Sequence, residues 1–235
     1  MGFKRILLPQ EELSGVRLTS AMAGIGLHFN AFADRDVNIE DTIFFASVDG
    51  MTRRDLRTLS VLVKWLDIYY RWINAGRLIK IIESSTEERV RAFWAAIAVW
   101  KKEDIRFKNF LSLYKGSRVE VMPPPFDSSF HYRRHGEDPR FEGGPLRAPA
   151  NLLRDREIDV VPPGKTAVNN LYIRYRIMMG PTYRSDIWAA LELDTGLSPT
   201  ELARKTYGSF AVAWQVKRDW EILENARRKR KKNLA

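Results

Sequence analysis

Apolar residues recur at three- and four-residue steps from Leu56 to Ile73, and polar residues occupy most positions between them. This period predicts an amphipathic helix that reaches about Ala75. Thr52-Arg-Arg-Asp55 has the spacing of a capping box and predicts its start. Gly76 is the predicted stop, because glycine commonly follows the last helical residue.

Three further helices are predicted in the first half of the chain, over residues 11–29, 86–101 and 103–114. The second begins with acids at Glu87 and Glu88, which the positive end of the helix dipole favours. Four tryptophans in this part of the chain are predicted to lie in its core: Trp65, Trp72, Trp94 and Trp100. We therefore expect a helical N-terminal domain over residues 1–115.

The pattern changes after Tyr114. Most of the prolines of the chain lie between Gly116 and Gly164, so this stretch cannot hold long helices. Residues 118–122 and 158–161 could form short strands. We interpret residues 116–165 as a Pro/Gly-rich segment, either an ordered irregular arm or a linker, and the sequence leaves both open.

Three helical segments are predicted to close the chain, over residues 167–179, 183–193 and from Ser198 onward. Ser198-Pro-Thr-Glu201 combines a helix-capping serine, a proline at the first helical position and a glutamate able to bond back to the cap. The helix that begins at this string should end near Thr206. A turn at Tyr207-Gly208-Ser209 should then lead into a last helix over residues 209–225.

The string from Ser198 to Leu223 resembles the helix-turn-helix of bacterial winged-helix transcription regulators. The resemblance covers about 45 residues, from Arg184 to Asn225. It implies that residues 184–193 form a supporting helix and that the helix from Ser209 lies in the DNA major groove. It also implies a buried Leu202 and a small buried Ala203 in the first helix. Four apolar residues would bury one face of the second: Val212, Val216, Trp220 and Leu223.

Two features depart from that pattern. The turn glycine of the family follows the small alanine by four residues, whereas Gly208 follows Ala203 by five. About ten residues remain after the last predicted helix, too few for a wing hairpin. We expect the basic run Arg227-Arg-Lys-Arg-Lys-Lys232 to replace the wing as a phosphate contact.

The outward face of the last helix supplies the candidate DNA-binding residues. Ser209 lies on this face. Gln215 could contact adenine, Arg218 guanine, and Lys217 phosphate. The remaining candidates are the six residues of the basic run: Arg227, Arg228, Lys229, Arg230, Lys231 and Lys232. Against this, Phe210 and Trp214 make the start of the helix unusually apolar, as in a helical hairpin that buries Trp214.

Charge supports a polyanionic partner. The formal net charge is +10, and residues 198–235 contribute 10 basic against 4 acidic side chains. Cysteine is absent, the N-terminus lacks the apolar stretch of a signal peptide, and the apolar run at 93–100 is too short to span a bilayer. These features predict a cytoplasmic protein that does not bind a membrane.

Catalytic and metal-binding patterns are weak. His131 and His135 have the spacing of two metal ligands on a helix, but the surrounding prolines and glycines argue against a helix there. The segment 34–38 begins like a calcium loop and lacks its later glycine and glutamate. Pro163-Gly-Lys-Thr166 lacks the first glycine of a phosphate loop. We expect no catalytic residues, no metal and no cofactor, and therefore a protein other than an enzyme.

Together these observations predict a mainly α protein with a C-terminal helix-turn-helix module at 166–235. We expect a transcriptional regulator that binds double-stranded DNA, with the N-terminal domain serving dimerisation or partner binding. The alternative is a protein-interaction or adaptor module, antitoxin-like, that uses the same helices without binding DNA.

Overall fold

The computed structural model describes residues 8–122 and 129–232, with the backbone alone for 227–232. This part of the chain is mainly helical, as predicted. It divides into two compact units, residues 9–162 and residues 163–232 together with Leu8. The described residues of the expected arm or linker up to Pro162 thus belong to the same unit as the N-terminal helices. Over the described ranges, no helix is both long and apolar enough to cross a bilayer.

The unit of residues 9–162, as far as it is described, combines six α-helices with a two-stranded sheet and short 3-10 segments. The helices are α1 (Gly15–Gly24), α2 (Ile39–Met51), α3 (Leu56–Tyr69), α4 (Ala75–Ser84), α5 (Glu88–Trp100) and α6 (Ser129–His135), and the strands are β1 (Val119–Glu120) and β2 (Leu146–Arg147). 3-10 segments cover Tyr70–Trp72, Ile105–Leu113 and Glu157–Asp159.

Helix α3 begins and ends differently from the prediction. Its cap is Asp55 itself, whose carboxylate accepts the N–H groups of Arg57 and Thr58, so the capping box that was expected to start at Thr52 is wrong. The predicted stop at Gly76 is also wrong, because this glycine is the second residue of α4. The apolar stripe continues across the break between the two helices because Ile73 in the connection is buried as well.

Helix α2 was not predicted, because most of its residues are buried and polar positions do not mark an outer face. The Asn38 side chain caps it by accepting from the N–H groups of Glu40 and Asp41. Both of these acids are buried and pair with the fully buried Arg77 of α4. This ionic contact holds α2 against α4 inside the unit.

Two of the four predicted core tryptophans are fully buried. The Trp65 ring N–H donates to the Ile25 carbonyl at 2.8 Å, and that of Trp94 donates to the Ser47 hydroxyl at 3.0 Å. Each therefore has its one polar group satisfied, as a buried indole requires. Trp72 and Trp100 are only partly buried.

The proline-rich stretch is folded around arginine side chains. Strands β1 and β2 pair in parallel, and Arg89 of α5 donates to the carbonyls of Glu120 and Val121. His131 and His135 both lie on α6, with ring centroids 6.5 Å apart, so the expectation that no helix forms there is wrong. Prolines flank this seven-residue helix without entering it.

The described part of the second unit consists of five helices: α7 (Pro163–Asn169), α8 (Leu171–Met179), α9 (Tyr183–Leu193), α10 (Pro199–Thr206) and α11 (Phe210–Lys232). The bounds of α9 are those predicted. The helix predicted over 167–179 is instead divided at Asn170, whose side chain caps α8 by accepting from the Ile173 N–H at 2.9 Å.

Candidate nucleic-acid interface

The start of α10 has the predicted capping box, with both of its bonds. The Ser198 hydroxyl accepts from the Glu201 N–H at 3.2 Å, and the Glu201 carboxylate accepts from the Ser198 N–H at 2.7 Å. Hydrogen bonding to Ser198 lowers the pKa of Glu201, and the charges of Arg204 and Lys217 act in the same direction. The position of α10 is therefore set by local chemistry that is visible in the sequence.

In the turn between α10 and α11, a tyrosine and not the adjacent glycine adopts the left-handed conformation. Tyr207, four residues after Ala203, adopts the left-handed conformation with φ 58°, whereas Gly208 has no positive φ. A Cβ added at Gly208 would meet its nearest atom at 3.4 Å, an ordinary contact. The left-handed residue is therefore a tyrosine whose side chain is buried, and the backbone conformation of Gly208 does not require glycine.

Helices α9, α10 and α11 enclose one apolar core. Leu202 and Ala203 are buried as predicted. The core comprises Ile187, Ala190 and Leu191 from α9, Leu202 and Ala203 from α10, and Ala213, Val216 and Trp220 from α11. The predicted burial of Val212 and Leu223 is wrong, since they are 36% and 50% exposed. The inward face of α11 instead passes through Ala213, three residues before Val216, as helical periodicity requires.

The outward face of α11 carries Trp214, Gln215 and Arg218. Trp214, which a packed helical hairpin would bury, is 47% exposed. The Arg218 guanidinium lies over its ring at 5.6 Å from the centroid, a cation–π contact that restrains both side chains. An arginine and an aromatic ring on one exposed helix face can contact base edges, phosphates or an apolar protein surface.

Other candidate residues make contacts within the unit. The Ser209 hydroxyl accepts from the Val212 N–H at 3.3 Å, at the start of α11. The Lys217 ammonium donates to the Leu197 carbonyl at 2.7 Å, in the loop between α9 and α10. This bond uses one of the three protons of the ammonium and keeps the side chain against the loop.

Gln215 and Arg184 meet on one carboxylate. Gln215 donates to Asp219 at 3.0 Å, and the Arg184 guanidinium pairs with the same group at 2.5 Å. The hydrogen bond from Arg184 is the main reason why the pKa of Asp219 is lowered. Arg184 was not among the predicted site residues, because its partner lies 35 positions away on another helix.

Positive charge is concentrated at the far end of α11. Residues 163–226 carry 8 basic and 7 acidic side chains, whereas residues 227–232 are all basic. The backbone of α11 remains helical through Lys232, beyond the predicted end at Asn225. The side chains of Arg227, Arg228, Lys229, Arg230, Lys231 and Lys232 lie outside the described part of the structure. At 1.5 Å per residue, this basic run begins about 27 Å from Ser209 along the helix axis.

No protein-family profile, curated protein or solved structure significantly matches this chain. Within residues 8–122 and 129–232, histidine and acidic side chains form no group of three or more that could hold a metal ion.

Proposed function

We propose that this protein binds double-stranded DNA through α10 and α11 and acts as a transcriptional regulator. The observation that carries the proposal is the exposed face of α11, where Trp214, Gln215 and Arg218 stand outward while Ala213 and Val216 anchor the helix from behind. A recognition helix needs such an arrangement, because a rigid support must hold its outward side chains in a groove.

From the length of α11 we infer different roles for its two ends. Base contacts come from side chains near Gln215 and Arg218, which reach the groove edges. The basic run at 227–232 begins about 27 Å beyond Ser209, and a straight helix cannot follow the curved groove over that distance. The run therefore supplies phosphate contacts, which add affinity without sequence preference.

The decisive experiment is a fluorescence-anisotropy titration of the full chain with a random-sequence duplex at two salt concentrations. We expect micromolar binding that weakens steeply with salt, because neutralisation of phosphates releases counterions. Deletion of residues 227–235 should reduce the slope of log K against log salt by about 0.9 for each phosphate that the run neutralises. If binding is undetectable at low salt, the proposal fails.

Arg218→Ala separates base contacts from phosphate contacts once a preferred sequence has been selected. This change should reduce discrimination among duplexes by about 1–3 kcal/mol, whereas replacement of Lys229 by Ala should weaken all duplexes alike. Arg174→Ala, on α8 of the same unit, is the matched control and should leave both quantities unchanged. Equal effects of Arg218→Ala and Lys229→Ala would refute the division of roles.

A protein-interaction function is the second candidate, and the apolar residues exposed on α11 favour it. Phe210, Trp214, Ile222 and Leu223 are each between 38% and 60% exposed. Aromatic residues of this kind are enriched in protein interfaces. Reduced sequence discrimination in Arg218→Ala, with full retention in Leu223→Ala, would support the first function. Failure to bind any duplex would leave the second.

A further inference from the structure

The unit of residues 9–162 contains a cleft of about 560 Å³ beside the first half of α3. Three apolar side chains contribute to its lining: Leu56 and Val61 of α3, and Leu152. Ligand sites for small molecules are typically about 300–1,000 Å³ and largely apolar. The cleft is therefore large enough for an organic ligand and exceeds the needs of a simple inorganic ion.

Three arginines line the same cleft: Arg57, Arg154 and Arg156. Its acidic lining residue, Asp159, accepts two hydrogen bonds from Arg156, at 2.7 and 3.0 Å, which neutralises that arginine. Within the described ranges, no acid pairs with Arg57 or Arg154. The guanidinium of Arg57 lies 5.3 Å from the Phe29 ring centroid. Two positive charges of the cleft are thus left without a counterion from the described residues.

The two acids next to Arg154 and Arg156 in the chain, Asp155 and Glu157, pair with a lysine and not with the arginines of the cleft. Basic and acidic residues alternate in Arg154-Asp155-Arg156-Glu157. The Lys64 ammonium of α3 forms salt bridges with both acids, at 2.8 Å to Asp155 and 2.5 Å to Glu157. Burial lowers the pKa of Lys64, but the hydrogen bonds to these two carboxylates outweigh it and raise the pKa. The lysine therefore stays charged and keeps two acids away from the arginines.

The backbone also holds Arg154 in place. Its N–H donates to the Ser60 hydroxyl at 3.2 Å, and that hydroxyl donates in turn to the Leu56 carbonyl at 2.6 Å. The loop that carries Arg154 is thereby fixed to α3, the helix that carries Arg57. Two guanidinium groups on connected elements can bind one dianion, because each offers a planar fork of donors to its oxygens.

We propose that this cleft binds a small organic phosphate, with the phosphate between Arg57 and Arg154 and its organic part against Leu56, Val61 and Leu152. The two arginines without acidic partners among the described residues match the two charges of a phosphate monoester. The apolar residues and the volume match a ligand of nucleotide size. This site lies in the other unit from α11, and the proposal does not depend on DNA binding.

The test uses AMP as the probe, titrated into the full chain by calorimetry at constant ionic strength. We expect a Kd below about 1 mM, with adenosine at least about tenfold weaker because it lacks the phosphate. Succinate, a dianion without phosphate or an apolar part of this size, should also bind about tenfold more weakly. Binding of adenosine or succinate as tight as that of AMP would overturn the proposal, as would no heat at about 10 mM AMP.

Variants locate the site. Arg154→Gln and Arg57→Gln should each weaken AMP binding about tenfold, and Arg154→Lys less, because it keeps the charge and loses the fork. Arg133→Gln is the matched control, since this exposed arginine of α6 lies in the same unit and does not line the cleft. Circular dichroism and the unfolding temperature establish that each variant is folded. Equal weakening by Arg133→Gln, or no weakening by the cleft variants, would overturn the proposal.

Discussion

The guanidinium of Arg176 on α8 and the carboxylate of Asp186 on α9 form two parallel hydrogen bonds, of 2.7 and 2.8 Å, and each side chain is only 1% exposed. This pair joins α8 to α9, the helix that supports α10 and α11. A buried ion pair is geometrically specific, and removal of one partner leaves the other charged and desolvated.

Asp186→Asn should therefore destabilise the unit by about 3–5 kcal/mol. Asp219→Asn is the matched control, because its partner Arg184 is 47% exposed and such surface pairs contribute about 1 kcal/mol or less. Urea unfolding followed by tryptophan fluorescence measures both. Equal decreases of stability in the two variants would contradict the structural role of the buried pair.

The left-handed turn residue Tyr207 gives a second prediction. Both Tyr207→Ala and Tyr207→Gly remove a buried aromatic side chain, so both should be destabilised. The glycine variant should be the more stable of the two by about 1 kcal/mol, because alanine keeps the penalty of a positive φ. In a helix interior the order would be reversed, so an alanine variant that is the more stable by urea unfolding would contradict the assigned conformation.

The capping carboxylate of Glu201 gives a pH-dependent prediction. Its folded-state pKa is lowered by Ser198, so its contribution to stability is fully present above the ordinary carboxyl pKa and is lost as the pH falls through the lowered value. Glu201→Gln cannot ionise, so the wild-type chain should have the higher unfolding temperature at neutral pH. That advantage should vanish in the acidic range. Thermal unfolding from pH 7 to pH 3 measures it, and an advantage that is constant with pH would refute the role of the charge.

The ion pairs of Lys64 give a fourth prediction, which rests on the proposed phosphate site. Lys64→Met retains much of the side-chain volume and frees Asp155 and Glu157 to approach Arg154 and Arg156. The AMP affinity should therefore fall several-fold, although Lys64 does not line the cleft. Calorimetry compares the AMP affinity of this variant with that of Lys80→Met. Lys80 is an exposed lysine paired with Glu83. Unchanged AMP affinity in Lys64→Met would contradict this role of the lysine.

Sequence patterns succeeded where structure is set by neighbours in the chain. The bounds of α9 and the start of α10 were predicted because caps such as Ser198 with Glu201 act over three residues. They failed at α2 and at the break near Ile73. Most side chains of α2 are buried, so the alternation of apolar and polar positions that marks a helix face is missing there. At the break, the buried Ile73 continues the apolar spacing from α3 to α4, so the pattern does not mark the interruption.

The candidate sites also combine features that local sequence patterns predict with features that depend on packing between distant segments. The outward face of α11 could be predicted from its periodicity, apart from Val212 and Leu223, whose exposure depends on where the neighbouring helices lie. Lys217 was assigned to phosphate from its charge, but its bond to the Leu197 carbonyl depends on a loop 20 residues away. The arginine cleft had no signal in the sequence, since Arg57 and Arg154 are almost 100 positions apart.

By itself, the sequence determined the mainly helical class, the capped start of α10 and the basic run after Ala226. These depend on local hydrogen bonds, side-chain periodicity and composition. Only the tertiary structure decided that Tyr207 is the left-handed turn residue and that Arg176 forms an ion pair with Asp186. It also decided that Lys64 forms salt bridges with two acids beside the arginines of the cleft. Each of these depends on packing between distant segments, where burial selects partners and conformations that no local pattern specifies.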